Sequence, residues 1–244
     1  MFPVILKIGP LTLHSYGLLF AIAVLVCAFL LSREARSLGM DSALIYDFVF
    51  WVILSGIVGA RIFYILLNVP FFIQHPLEII MIQNGGLAWQ GGLILASITG
   101  ITFIQKRNLP LLKMADLVAP YIALGQSIGR IGCFLNGCCF GKEVSWGIYF
   151  PVHNARLHPT QLYDSIGLLI IFFILKTYQK FYPPLGQVFI MYLILASVLR
   201  FGIEFLRADH RILFFGLSIF QILCLGLILA AFYVHAYLKS RIRK

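Results

Sequence analysis

Long apolar stretches alternate with short polar breaks along the chain. The apolar stretches run over roughly 13–32, 46–68, 87–105, 115–135, 162–180, 186–206 and 212–238. The breaks between them read RSLGMD, NVPFFIQHP, KRNLP, GKEVSWGIYFPVHNARLHP, YPPLG and RADHR. About 20 consecutive apolar residues suffice for an α-helix to cross a bilayer, because a rise of about 1.5 Å per residue then matches a hydrocarbon core of about 30 Å. A core strand would be shorter, and a soluble helix would show a polar stripe. The pattern predicts an all-α, polytopic membrane protein of about seven transmembrane helices, organised as a single domain over 1–244. No internal repeat, long linker or low-complexity segment interrupts it. The opening MFPVILKIGPLT lacks the basic start and small-residue cleavage site of a signal peptide. Its Phe2, Val4, Ile5 and Leu6 are expected to lie along the membrane interface.

Charge adds an orientation. The chain is 61% hydrophobic and 11% charged, with a net charge of +10, whereas soluble domains are about a quarter charged. Eleven basic residues fall on one side of the predicted membrane: Arg33, Arg36, Lys106, Arg107, Lys113, Lys176, Lys180, Lys239, Arg241, Arg243 and Lys244. Five fall on the other: Lys7, Lys142, Arg156, Arg207 and Arg211. Cytoplasmic loops carry the excess of Lys and Arg, so the N-terminus is expected outside and the C-terminus in the cytoplasm. The basic residues are divided among loops, which suits anionic lipid headgroups rather than nucleic acid. The 69–86 loop, the long 136–161 loop and the end of the sixth helix then face the extracytoplasmic side.

Candidate chemistry lies where charge meets these spans. Arg61, Arg130 and Arg200 fall within or at the edge of predicted helices. A charge at the bilayer centre costs at least about 2.5 kcal/mol, so intramembrane arginines point to function unless they snorkel to the headgroups. Arg200, Glu204 and Arg207 are spaced so that one continuous helix would align them within about 60° of arc. Such a stripe should face a polar cavity, although Arg207, at the helix end, also fits a snorkelling role. Gly125, Gly129 and Gly132 surround Arg130 at spacings that suit close helix packing. The fragment GQSIG matches a hydrolase elbow, but that motif needs a strand–turn–helix setting, so Ser127 is not expected to be a nucleophile. In QNGGLAWQGGL, Gln83 to Leu93, glycine backbone can either bind an anion or form a flexible loop. In LHPTQLYDSIG, Thr160 is a natural helix N-cap and His158 a headgroup contact or a base. Cys27 and Cys224 read as small buried hydrophobes. Cys133, Cys138 and Cys139 can be structural thiols or a short-loop disulfide. A covalent role for Cys133, or a metal site recruiting His153 or His158, are the alternatives.

Taken in order, IGPLTLHSYGLLF, GARIFYIL, NGGLAWQGGL, GQSIGRIGCFLNGCCFG, HPTQLYDS and LRFGIEFLR resemble the bacterial prolipoprotein diacylglyceryl transferase family over nearly the whole chain. The resemblance implies an enzyme of the bacterial cytoplasmic (inner) membrane, with its active site toward the extracytoplasmic side. It implies transfer of the diacylglyceryl group of phosphatidylglycerol to the lipobox cysteine in the signal peptide of a preprolipoprotein, with formation of a thioether and release of glycerol 1-phosphate. The partners are then phosphatidylglycerol, the lipobox peptide and the bilayer. Neither cofactor nor metal is implied, and the chain is expected to act as a monomer. By match to the motifs, Arg130, Arg200, Glu204, Gln90 and His158 are the implied catalytic residues. Arg130 would hold the phosphate, Arg200 would take part in transfer, and Glu204 would orient Arg200. Tyr16, Arg61, Gly91, Gly92, Asn136 and Arg207 join Arg130 as implied contacts to the lipid. Four positions depart from the family pattern. Gln90 stands where most members have a histidine proposed as the base. Cys133 and Cys138 stand for an asparagine and an acidic residue, and Ala196 replaces a tyrosine. These departures keep two alternatives open: a related membrane transferase that uses a phospholipid with another acceptor, and a non-catalytic lipid-binding protein.

Overall fold

The computed structural model describes residues 1–8, 11–81, 85–208, 212–214 and 216–242. Gln83 and Asn84 of the glycine-rich loop, and Arg211, Arg243 and Lys244 of the charge argument, lie outside the described residues. Seven helices of 18 or more residues fall on the seven apolar stretches: α1 (Ser15–Ser37), α2 (Ser42–Leu67), α4 (Trp89–Lys106), α5 (Leu111–Asn136), α6 (Thr160–Gln179), α7 (Gln187–Glu204) and α8 (Ile219–Ile242). A short helix, α3 (Val69–Gln74), follows α2. Five of them, α1, α2, α6, α7 and α8, are long and apolar enough to cross a membrane. Helix α5 carries Lys113, Asp116, Gln126 and Arg130, which lower its hydropathy.

The all-α expectation needs one amendment. Three short antiparallel hairpins join the helices: β1 (Val4–Ile8) with β2 (Leu11–His14), β3 (Glu143–Phe150) with β4 (Ala155–Leu157), and β5 (Ile212–Phe214) with β6 (Leu217–Ser218). The first hairpin forms the segment expected at the membrane interface and leaves Phe2, Val4, Ile5 and Leu6 exposed. The third displaces the predicted start of the last helix from 212 to 219. There Ser218 and Gln221 form a reciprocal cap: the Ser218 N–H donates to Gln221 Oε1 at 2.9 Å, and the Gln221 N–H donates to Ser218 Oγ at 3.3 Å. Satisfying two orphan donors in this way fixes where a helix begins.

The chain packs as two compact units, residues 1–30 with 115–244, and residues 31–114. In the first, α5, α6 and α7 enclose a core of Ala119, Ala123, Ile171, Leu175, Val188 and Tyr192. The pairing of α5 with α6 is set by small residues. Ser127 donates to the Ser165 carbonyl at 2.7 Å, and Ser165 donates to the Ser127 carbonyl at 2.9 Å. Asp116 caps the start of α7, accepting from the N–H groups of Gly186 at 2.6 Å and Phe189 at 2.9 Å. In the second unit, α2 and α4 approach until backbones touch. A Cβ on Gly91 would lie 2.2 Å from the Phe63 Cβ and 2.3 Å from the Gly59 carbonyl oxygen. Large apolar side chains such as Phe29, Phe173 and Leu229 point outward, as lipid-facing helices require.

Candidate active site

The site of the first unit is built on one carboxylate. Asp164 sits in the second turn of α6, with its side chain 5% exposed. It meets Arg130 from α5, Nε to Oδ2 at 3.0 Å, and Arg200 from α7, Nη1 to Oδ2 at 3.8 Å. Glu204, one turn beyond Arg200, binds Arg200 Nη2 at 2.8 Å. Ser218 Oγ donates to Glu204 Oε1 at 2.7 Å, so the cap of α8 holds the carboxylate that holds the arginine. The Phe220 ring lies 5.4 Å from the Arg200 guanidinium and adds a cation–π contact. Three helices thus converge on Asp164, and the arginine cluster expected from sequence assembles through a residue that the sequence reading passed over. Its signal was present in HPTQLYDS, an acidic residue inside an apolar stretch.

Charge balance gives the site its chemistry. Arg130 and Arg200 pair with Asp164 and Glu204, and Arg207, within electrostatic reach of Arg200, leaves the group with a net excess of one positive charge. A phosphodiester headgroup would neutralise it. Arg130 spends its Nε on Asp164 and remains 26% exposed. Arg200 Nη1 is buried with no hydrogen bond, its contact with Asp164 being a longer ion pair. A buried donor left in that state costs free energy until an acceptor arrives.

Arg207 lies just past the end of the helix. Helix α7 ends at Glu204, and a tighter turn follows, in which the N–H groups of Phe205, Leu206 and Arg207 bond to carbonyls three residues back. Residues three apart eclipse in such a turn, so Arg207 stays in line with Glu204, within electrostatic reach of Arg200, and being buried it does not snorkel. It is 7% exposed, its backbone forms an isolated bridge with Gly141, and its side chain lies within electrostatic reach of the Cys139 thiol.

The thiols form a second cluster beside the first. Cys133 lies in the last turn of α5, and Cys138 and Cys139 follow in the loop. The three Sγ atoms lie within 4.8 Å of one another, and all are free. The loop is held by the first turn of α6: Thr160 Oγ1 donates to the Cys139 carbonyl at 2.8 Å, and Gln161 Nε2 to the Cys138 carbonyl at 2.6 Å. Thr160 is therefore not the N-cap of α6, a position taken by Pro159. Cys139 adopts φ of 62°, a left-handed conformation that the surrounding bonds must sustain. The neighbouring Cys133 and Cys138 thiols, together with Arg207, hold the Cys139 thiol below the ordinary thiol range. The Cys138 thiol donates to the Cys133 carbonyl at 3.7 Å, and the Asn136 side chain lies close to it. Tyr16, at the start of α1, lies within electrostatic reach of all three thiols and of Arg130. Its backbone packs on Gly132, where a Cβ would lie 3.3 Å from the Tyr16 Cα.

His158 is held between Trp146, ring centroids 4.8 Å apart and perpendicular, and the Tyr163 hydroxyl, 3.4 Å from Nδ1. The second unit contains the other expected residues. Arg61 is 6% exposed and donates to the carbonyls of Ile79 at 3.0 Å, Gly85 at 2.6 Å, Gly86 at 2.9 Å, Met81 at 3.4 Å and Glu78. Its five N–H donors are committed to the loop after α3, which gives it a structural role in place of the lipid contact expected. Gly91 and Gly92 lie in the first turn of α4 and serve the close approach to α2, rather than forming an open anion cradle. Gln90 is exposed beside them.

The chain is similar to known proteins over most of its length. A family profile described as prolipoprotein diacylglyceryl transferase matches residues 3–237. The chain is 36% identical over 237 residues to a phosphatidylglycerol–prolipoprotein diacylglyceryl transferase of Bacillus cereus, covering 92% of this chain and 87% of the relative. It is 35% identical over 218 residues to the protein of the same name from Clostridium tetani, with 86% and 87% covered. A third relative of that name, from Staphylococcus aureus, is 34% identical over 251 residues, with 98% and 90% covered.

Proposed function

The chain belongs to the prolipoprotein diacylglyceryl transferase family, and on that premise we propose that it transfers the diacylglyceryl group of phosphatidylglycerol to the lipobox cysteine of preprolipoproteins. The observation that carries the proposal is the joining of Arg130 and Arg200 by Asp164, with one positive charge in excess. The phosphate of the lipid binds the Nη groups of Arg130, whose planar fork suits two phosphate oxygens. Arg200, aimed by Glu204, neutralises the charge that grows on the leaving phosphate oxygen. The substrate thiolate attacks the glyceryl carbon. A carbon–sulfur bond forms, the carbon–oxygen bond to phosphate breaks, and glycerol 1-phosphate leaves with the electron pair. Asp164 and Glu204 are positioning residues. Tyr16, Asn136 and His158 line the approach to the headgroup. Arg207 adds to the positive field beside the Cys139 loop.

We read residues 1–244 as one transferase domain that works as a monomer in the bacterial inner membrane. It has seven crossings, an external N-terminus, a cytoplasmic C-terminus and an extracytoplasmic active site. The basic loops between α1 and α2 and between α4 and α5, together with the basic tail, support this orientation. The test is incubation of the purified protein with phosphatidylglycerol labelled in its acyl chains and a lipobox peptide. Label on the peptide, lost when its cysteine is replaced by serine, is the expected result. Headgroup release without peptide labelling would refute the acceptor, and lipid binding alone would refute catalysis.

A further inference from the structure

The three thiols of the 133–139 segment carry more than packing. Cys133, Cys138 and Cys139 converge within 4.8 Å from a helix end and its following loop. That loop is fixed by Thr160 and Gln161 of α6, the helix whose Asp164 organises the arginines. A zinc–thiolate bond of about 2.3 Å in a tetrahedron sets sulfur–sulfur separations of about 3.8 Å, so side-chain adjustments of under about 1 Å would complete the site. The two nearby histidines are occupied elsewhere. His153 Nε2 contacts the Gly137 carbonyl oxygen at 3.0 Å, and His158 pairs with Tyr163. Three thiolates around a divalent cation leave one net negative charge, within electrostatic reach of the Arg207 guanidinium. Three protein ligands with a fourth position open is the arrangement of catalytic rather than structural zinc.

We infer that Cys133, Cys138 and Cys139 bind a thiophilic divalent cation of the zinc type, and that its fourth ligand is the thiol of the acceptor cysteine. The inference rests on the transferase reading above. The thiol loses its proton to water on coordination, and the metal keeps its oxidation state. The bound thiolate then attacks the glyceryl carbon as described, and the thioether, a weaker ligand, departs. The physical need is plain. A thiol of pKa about 8.5 is only about 3% ionised at pH 7, and a metal-bound thiol is deprotonated outright, a gain of up to about thirtyfold. Tyr16, within electrostatic reach of both the thiols and Arg130, marks where acceptor and lipid would meet.

The experiment uses the full chain, purified in detergent without chelator. Zinc content should approach one per chain. Replacing the metal with Co²⁺ should give cobalt–thiolate charge-transfer absorption, which a cysteine lipobox peptide strengthens and its serine analogue does not. Cys27→Ser and Cys224→Ser should leave both signals intact, whereas Cys133→Ser, Cys138→Ser and Cys139→Ser together should abolish them. The triple variant should lose up to about thirtyfold in transfer at pH 7 and recover to within about twofold near pH 8.5, where the free thiol ionises unaided. Mere structural damage would not be rescued by pH. Absence of stoichiometric zinc and of cobalt–thiolate absorption in the wild type overturns the inference, as does a thiol count reduced by a disulfide. A cobalt spectrum indifferent to the cysteine peptide overturns the acceptor's role. Because metal binding is read without turnover, a protein that labels peptide without metal defeats this inference alone. One that binds cobalt but never labels peptide defeats the transferase reading.

Discussion

Asp164→Asn isolates the contribution of the shared carboxylate, because it removes one charge and almost no volume. At an effective dielectric of about 20, unit charges 3.0 Å apart attract by about 5.5 kcal/mol and those 3.8 Å apart by about 4.4 kcal/mol. Desolvation offsets much of this gross attraction. The cost of breaking a buried pair by removing one partner is about 3–5 kcal/mol, most of it from the charge left unpaired. In the variant, Arg130 and Arg200 lose their common counter-ion, and the excess charge of the cluster rises from one to two. The two guanidinium groups should separate. Anionic lipid would still bind, since the field is more positive, but the arginines would no longer be aimed. The expected kinetic signature is therefore a split: KM for phosphatidylglycerol unchanged or lower, and kcat reduced at least a hundredfold, about 2.7 kcal/mol. The assay is transfer of labelled diacylglyceryl to a lipobox peptide over a range of lipid concentrations, with thermal unfolding followed in parallel. A folded Asp164→Asn protein that retains more than half of the wild-type kcat would refute the idea that this carboxylate positions the catalytic arginines.

Arg130→Lys keeps the charge but loses the planar fork, and transfer should fall at least a hundredfold, about 2.7 kcal/mol; a loss below tenfold would show that Arg130 acts as a point charge. Gln90 cannot accept a proton, so Gln90→His should keep or raise activity, and Gln90→Ala should cost at most about tenfold, the worth of one hydrogen bond; a loss of several thousandfold in the same assay would reverse that assignment. Gly91→Ala forces a Cβ to within 2.2 Å of the Phe63 Cβ and should destabilise the α2–α4 pair by at least about 1–3 kcal/mol, seen as a lowered Tm; an unchanged Tm would mean that these helices separate more easily than their contact implies.

The sequence alone determined the long helices and the roster of unusual charges. Both are local properties, since twenty apolar residues exclude water wherever they occur, and a charge among them is visible without knowing its neighbours. Its motifs likewise carried the family. Much of what makes the site was not legible in this way. Asp164 was passed over because its meaning depends on α5 and α7 turning Arg130 and Arg200 toward it, a matter of helix rotation and packing. Arg61 and Arg130 read alike in sequence, yet one is saturated by loop carbonyls and the other keeps donors for a ligand. The expected Arg–Glu–Arg stripe outlasts the end of α7 at Glu204, because the tighter turn keeps Arg207 over Glu204, but that the same turn brings Arg207 beside Cys139 was not legible in the sequence. The convergence of the three thiols was equally hidden. It requires a left-handed residue and two side chains of α6 to fold the loop back on the helix end. Hydropathy is written one residue at a time, whereas a polar site exists only where several elements bring their exceptions to the same point, and that is decided by tertiary packing.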